Sequence, residues 1–479
     1  MAAMDSEKLD ISKEIESRQE KFWRISDAIW SYAELGWQEF KSSKLLADTL
    51  EEAGFRVDRG VAGMPTAFVA TWSYGTGKPV IGFLGEYDAL PMLSQKAGSP
   101  TYDPVVRGAP GHGCSHNTMG AMQALTVIAL KEVMMRNGIN GTLKLFGCPA
   151  EEVFGSRPYM IRAGLFKDVD VVIDCHGDGQ YRVAYGAEGN AAYSFIVNFR
   201  GKTAHAAGEP WRGRSALDAV ELMHAGTERM REHLPTSQRT HWIITEGGEA
   251  PNVVPDRAGT WYFIRDTDEQ IEDIFKWVVD CAKGAALMTQ TAYELHVVGA
   301  IHQRFSNRVL AELIFENIKL VGKPEYTKEE EAYAKALQQE AGMPVKGLDY
   351  AMAITNPETF FRASSSDVGD VTLVAPTASF RFPVRVPGSA SHHWAVTSAA
   401  ATSIAHKGIT AGAKVTAFSA YDILMKPDQF KRIREEFEEL AGKRPYMSFL
   451  PEGAKPFLDL NAELMEKYRG TMEQFYIDP

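Results

Sequence analysis

Cysteine is scarce in this chain of 479 residues, with only Cys114, Cys148, Cys175 and Cys281 present. So few thiols cannot build a disulfide framework, which leaves core, thiol or metal-ligating roles. An excess of positive charge is also missing: 51 basic against 62 acidic residues give a formal net charge of −11. That balance excludes the basic footprint on which nucleic acid or an anionic membrane would bind. A small anionic substrate stays possible, because metals or a single arginine create local positive charge on a mildly negative surface. The longest apolar stretches, such as residues 120–135, are broken by polar side chains and too short to cross a bilayer. Acids begin at Asp5, and no apolar segment of signal-peptide type precedes them. A cytoplasmic location is the expectation, and internal repeats and low-complexity tracts are absent.

What is present is the composition of a folded globular protein, 45% hydrophobic and 24% charged. The length exceeds one ordinary core, so two domains are expected. Helical spacing runs over residues 14–53 with a turn near Leu35-Gly36, and apolar runs at 65–71, 80–84, 142–146 and 169–174 read as strands. A helix is predicted over 118–136, stopped by Asn137-Gly138. Such alternation indicates an α/β domain with a mostly parallel sheet and helices on both faces. From about residue 189 the order becomes β-α-β-β-α-β, the ferredoxin-like pattern, and helix and strand signals resume near Ser306. The predicted organisation is a catalytic domain over 1–188 and 304–479, with an inserted α+β domain at 189–303. Beyond Gly442 the tail loses clear periodicity.

Ligands bind at the carboxyl ends of strands in parallel sheets, and the residues there are chemically rich. Glu86 and Asp88 follow the run at 80–84, Glu151 and Glu152 follow 142–146, and His176 follows 169–174. His112-Gly113-Cys114-Ser115-His116-Asn117 precedes the central helix. Singly, each has a plain alternative: a Glu-Glu pair usually starts a solvated helix, Cys-x-His is often incidental, and a histidine can be a satisfied core group. Four such loops at one sheet edge favour a metal centre built from Cys114, His116, Glu152 and His176, a donor set suited to Zn, Mn or Co. Adjacent carboxylates rarely bind one ion alike, so Glu151 is placed as general base for the attacking water.

These motifs, with Pro149-Ala150-Glu151-Glu152, resemble the metal-site signature of the aminoacylase/carboxypeptidase metallopeptidase family, in its branch of N-acyl amino acid amidohydrolases. Further stretches similar to the aminobenzoyl-glutamate enzymes of that branch are residues 33–37, 60–66, 85–91, 366–371 and 442–446, so the resemblance spans nearly the whole chain. It implies a dinuclear centre with the Cys114 thiolate shared between two divalent ions, and a last ligand in Ser391-His392-His393-Trp394, placed at His392 with His393 as its neighbour. Glu86 and Asn117 stand where many relatives carry Asp, a departure shared by the aminobenzoyl-glutamate branch, and Ser115 stands where Gly is common. Asp88 is expected to orient a ligand by hydrogen bonding, or else to be a turn residue.

The resemblance also makes the inserted domain a lid and dimer contact. It implies that His205 contacts the reacting carbonyl, often from a partner subunit, and that Asn252 and Arg265 hold the substrate's free carboxylate. An exposed loop histidine and a salt-bridged surface arginine are the alternatives. Trp211, Arg212 and Arg214 either lean over the same cleft or begin a helix. The implied reaction is amide hydrolysis of an N-acyl or N-aroyl amino acid, foremost p-aminobenzoyl-glutamate, by a homodimer or a heterodimer with a related subunit. Another acyl group, or a non-catalytic acyl-amino-acid-binding subunit, are the competing readings.

Overall fold

Two helices, Ser6–Tyr32 and Phe40–Glu52, open the chain, and the computed structural model describes residues 5–356 and 363–479. The strands that follow are β1 (Arg56–Arg59), β2 (Phe68–Tyr74), β3 (Val80–Gly85), β4 (Gly141–Gly147), β5 (Val171–Asp178), β6 (Tyr181–Ala184) and the short β7 (Gly186–Glu188). Next come β8 (Ala191–Arg200), β9 (Arg239–Glu246), β10 (Arg257–Asp266) and β11 (Ala292–Ile301). The last are β12 (Arg304–Ser306), β13 (Met352–Thr355) and β14 (Thr377–Pro383).

The larger sheet has the order β1-β2-β4-β3-β5-β14-β6-β13. Its centre, β4-β3-β5-β14, is parallel, while β1, β2 and β6 join antiparallel. Every residue of β3 is buried, which explains its continuous apolar run: layers cover it on both sides. Ile81 and Phe83 face a core made with the first helix, the central helix His116–Asn137 and the late helix Ser403–Met425. Val80 and Leu84 face a second core shared with the short helix Ser156–Arg162 and with the inserted domain. Helices therefore cover both faces, unequally. The central helix has no Asp, Glu, Lys or Arg before Lys131 and is buried almost all round, as an interior helix must be.

The inserted segment forms a separate antiparallel sheet of order β11-β8-β10-β9. The helices Ala216–Met230 and Ile271–Thr289 complete the β-α-β-β-α-β pattern. Alternation sorts β10 into two faces: Tyr262 and Ile264 are buried in the core of the inserted domain, whereas Trp261, Phe263 and Arg265 look onto a cavity.

Two expectations change. His176 lies inside β5 rather than after it, because β14 extends the pairing to Pro383↔Asp178. The tail beyond Gly442 also gains a helix, Ala462–Met472. It docks through Asn461, whose amide donates to the Gly36 carbonyl at 2.9 Å. Only Met465 and Met472 of this helix are buried, too few to show a period in the sequence. No helix among the described residues is long and apolar enough to cross a membrane.

Candidate metal centre

The parallel strands deliver their side chains to one edge. β3 ends in Gly85 and hands over to Glu86 and Asp88, while β4 leads through Ala150 to Glu151 and Glu152. His116 opens the central helix. Ser115, Ala150 and His392 all take a left-handed backbone, with φ of 66°, 59° and 61°. Such conformations cost a non-glycine residue about 1 kcal/mol or more each and gather where function over-determines the chain. At Ser115 the restraint is visible: Arg385 donates through Nε to Ser115 Oγ at 2.9 Å and through another nitrogen to the Cys114 carbonyl.

Two triads share one thiol. Cys114, His116 and His176 offer ligand atoms within 4.8 Å of one another, and Cys114, Glu152 and His392 do the same. Cys114 Sγ lies 3.5 Å from His176 Nε2, and His392 Nε2 lies 3.3 Å from Glu152 Oε2. A third grouping, Glu86, His116 and Glu151, reuses His116. Buried Glu86 Oε2, His116 Nε2 and Glu152 Oε1 have no hydrogen-bond partner among the described residues, a costly arrangement that divalent cations would relieve. The thiolate, imidazole and carboxylate donors fit such ions, and Cys114 belongs to both triads.

Asp88 supports both triads at once. Its Oδ1 accepts from His116 Nδ1 at 2.9 Å, and its Oδ2 accepts the Glu152 backbone N–H at 2.9 Å. His393 turns away and caps the helix Trp394–Ala399 by accepting from the Ala395 N–H, so His392 is the histidine that reaches the cluster. Behind the site Arg157, fully buried, pairs with Glu86 at 2.6 Å and with Asp367.

The electrostatics follow from burial against these partners. Burial pushes the Cys114 thiol up and Glu152 adds to this, yet His116 and Arg385 outweigh both and bring it down to about 6. Burial also raises the Glu152 carboxyl, but His392 and His116 hold it down to about 2. At Glu151 the His116 charge does not compensate: burial and the neighbouring Glu86 carboxylate push it well above the ordinary range. Two vicinal carboxyls driven apart in this way suit different tasks, one as ligand and one as proton carrier.

A cavity of about 600 Å³ opens over the cluster. Cys114, Glu151, Glu152, His176 and His392 line one wall, and Arg239, His241, Trp261, Phe263 and Arg265 of the inserted domain line the other. Arg265 therefore belongs to the same cavity as the ligands. His205 and Asn252 do not line it. They are exposed and adjacent, with the Ala206 N–H donating to the Asn252 carbonyl at 3.0 Å and an isolated bridge joining His205 to Val253. Their loop sits at the Arg200/Arg257 end of the inserted sheet, whereas Arg265 pairs with Ala192 at the other end, eight residues or roughly 27 Å along β10. Within one chain they are thus remote from Cys114. Trp211 is likewise exposed, and Arg214 bonds Gln290, so neither lines the cavity.

Sequence reasoning did not single out Arg157, Asp367, Arg381 or Arg385. Asp367 lies in the stretch 366–371 noted above for its resemblance, but nothing local marks it as the partner of Arg157.

The model of peptidase family M20/M25/M40 matches residues 82–454. One of the subunits of p-aminobenzoyl-glutamate hydrolase from Escherichia coli is 35% identical over 476 residues, covering 93% of this chain and 98% of that protein. The human Xaa-Arg dipeptidase is 28% identical over 450 residues, covering 90% of this chain and 92% of its own. Among solved structures, a dinuclear metal binding peptidase of family M20 from Bacillus subtilis superposes with a TM-score of 0.56 at 17% identity, over 86% of this chain and 99% of that one.

Proposed function

The chain belongs to peptidase family M20/M25/M40, a metal-dependent hydrolase, and on that premise we propose that it cleaves the amide bond of an N-aroyl amino acid of the p-aminobenzoyl-glutamate type. The observation that carries this reading is the pair of triads sharing Cys114, with the unshared carboxylate of Glu151 beside them at the cavity wall. Cys114, His116 and His176 would hold one ion, and Cys114, Glu152 and His392 the other. Mn or Zn suits this mixed donor set best, with Co as a third candidate. When bound, the ions supply Lewis acidity that polarises the amide carbonyl and acidifies the attacking water.

The chain's own groups do the rest. Glu151 takes a proton from the attacking water and passes it to the leaving nitrogen, a task its raised pKa favours. Arg265 pairs with a substrate carboxylate across the cavity, and Trp261 and Phe263 on the same face offer flat apolar surface to an aromatic acyl group. Closure of the lid over the cluster keeps bulk water out. His205 and Asn252, remote from Cys114 in their own chain, act from the lid of a second chain. That second chain is another copy or a related subunit, and the Escherichia coli relative, itself named as one subunit of a hydrolase, supports such pairing.

Glu151→Gln is the direct test. The variant should keep its metal content by mass spectrometry and lose turnover by about 100-fold or more, measured on N-(4-aminobenzoyl)glutamate with Mn, Zn or Co added. Wild-type turnover in that variant would remove Glu151 from the mechanism. A wild-type enzyme that cleaves acyl-amino acids or dipeptides but no aroyl amide would move the reading to a different acyl group.

A further inference from the structure

Two arginines on the sheet side of the cavity have side chains that make no hydrogen bond among the described residues. Arg304 starts β12 just after the inserted domain, is 4% exposed and lines the cavity. Its Nε and one terminal nitrogen have no hydrogen-bond partner there, and its nearest carboxylate, Glu188, stands off at 3.7 Å. Arg381 lies on β14 opposite His176, is 7% exposed and lines the same cavity. Glu188 lies in the field of both guanidinium groups. Two other buried arginines here are hydrogen-bonded: Arg157 holds two carboxylates, and Arg385 holds Ser115, Ser391 and the Cys114 carbonyl.

A buried guanidinium has five donors in a planar fork, and leaving them unmet is costly. The group that fits that fork is a carboxylate. The charges around the cavity agree, since its described lining contains four arginines, Arg239, Arg265, Arg304 and Arg381, against only Glu151 and Glu152, with no lysine or aspartate. Arg239 is occupied by the carbonyls of Thr236 and Gln238. Arg265 stands on the lid, while Arg304 and Arg381 stand on the catalytic domain, so they approach a ligand from two sides.

We propose that Arg304 and Arg381 form a second carboxylate subsite, so that the preferred substrate is the N-acyl derivative of a dicarboxylic amino acid, with its second carboxylate held by this pair. The assignment rests on the amide-hydrolase reading above and adds the residues that select the amino acid.

The test compares N-(4-aminobenzoyl)glutamate with N-(4-aminobenzoyl)glutamine, which has nearly the same shape but lacks the second charge. Metal-loaded wild type should prefer the glutamate amide in kcat/KM, chiefly through KM. Arg304→Gln should shrink that preference at least tenfold, the scale of one lost charge-assisted hydrogen bond. Arg381→Gln is read in the same way, and serves alone if Arg304→Gln fails to fold by thermal unfolding. Isothermal titration with glutarate and butyrate supplies a readout without turnover: both variants should weaken glutarate at least tenfold more than butyrate. A glutamate preference and a glutarate-to-butyrate ratio within threefold of wild type would overturn the subsite. If wild type cleaves neither amide, the proposed function fails, while the titration still judges the arginine pair by the same ratio.

Discussion

Asp88→Asn isolates the contribution of a side chain that touches neither substrate nor any proposed ion. Asp88 is fully buried, and its two oxygens each accept one N–H: that of the His116 ring at 2.9 Å and that of the Glu152 backbone at 2.9 Å. With His116 Nε2 turned to a metal, its Nδ1 carries the proton, so both neighbours of Asp88 are donors. Asparagine has one acceptor oxygen and must turn its own NH2 toward the other donor. One bond to a charged acceptor is therefore lost and the surviving one becomes neutral. A bond to a charged group contributes about 1.5–3 kcal/mol, which at 1.4 kcal/mol per tenfold is about 10- to 150-fold in affinity. That range overlaps the roughly 10- to 100-fold seen when partners of metal-bound histidines are removed elsewhere. The assay titrates metal-free protein with Zn or Mn against a chromophoric chelator of known affinity, with urea unfolding of both metal-free proteins to separate folding from binding. Metal affinity within threefold of wild type, in a folded variant, would refute the claim that Asp88 orients ligands from both triads.

His302 joins the inserted domain to the tail: it bonds Asp268 at 2.9 Å and the Met447 carbonyl at 2.8 Å, and stacks on Phe449. Burial pushes its pKa down, but the Asp268 bond and the Asp370 charge outweigh this and bring it up to about 8 from 6.5. A raised folded-state value means that the stabilisation is complete below pH 6.5 and fades as pH rises through 8. The loss should reach about 2 kcal/mol in urea unfolding between pH 6 and pH 9, and His302→Gln should flatten the profile; parallel profiles for variant and wild type would sink the idea. Arg157→Met leaves Glu86 and Asp367 as two unpaired carboxylates in the interior. It should cost about 3–5 kcal/mol of unfolding free energy, and a loss below 1 kcal/mol would show that the triad is not the anchor of the Glu86 loop.

The strand-end chemistry was legible because its signals are local. A short apolar run such as Val80–Leu84, alternating with helical segments, reads as a strand covered on both faces, and the next few residues then emerge at the sheet edge, so Glu86, Asp88, Glu151 and Glu152 could be placed from order alone. The β-α-β-β-α-β pattern of the inserted domain was readable for the same reason, since alternation at period two and helical spacing are properties of contiguous residues. His176 was found although its strand runs further than its apolar stretch, because β14 supplies pairing that hydrophobicity does not record.

Other features depend on distance along the chain. Arg157, Arg304, Arg381 and Arg385 read as ordinary arginines in sequence. Only the fold distinguishes them: Arg157 and Arg385 meet partners as far as 210 and 271 positions away, while the side chains of Arg304 and Arg381 donate no hydrogen bond among the described residues and line the cavity. The separation of His205 from Arg265 likewise follows from their lying at opposite ends of one antiparallel sheet, a relation set by register rather than by motif. The amino-acid order by itself determined which donors exist and which strands carry them, because periodicity and loop chemistry act over a few residues. Tertiary structure alone decided which charges are neutralised and which stay open to a ligand, because electrostatic pairing is set by distance in space.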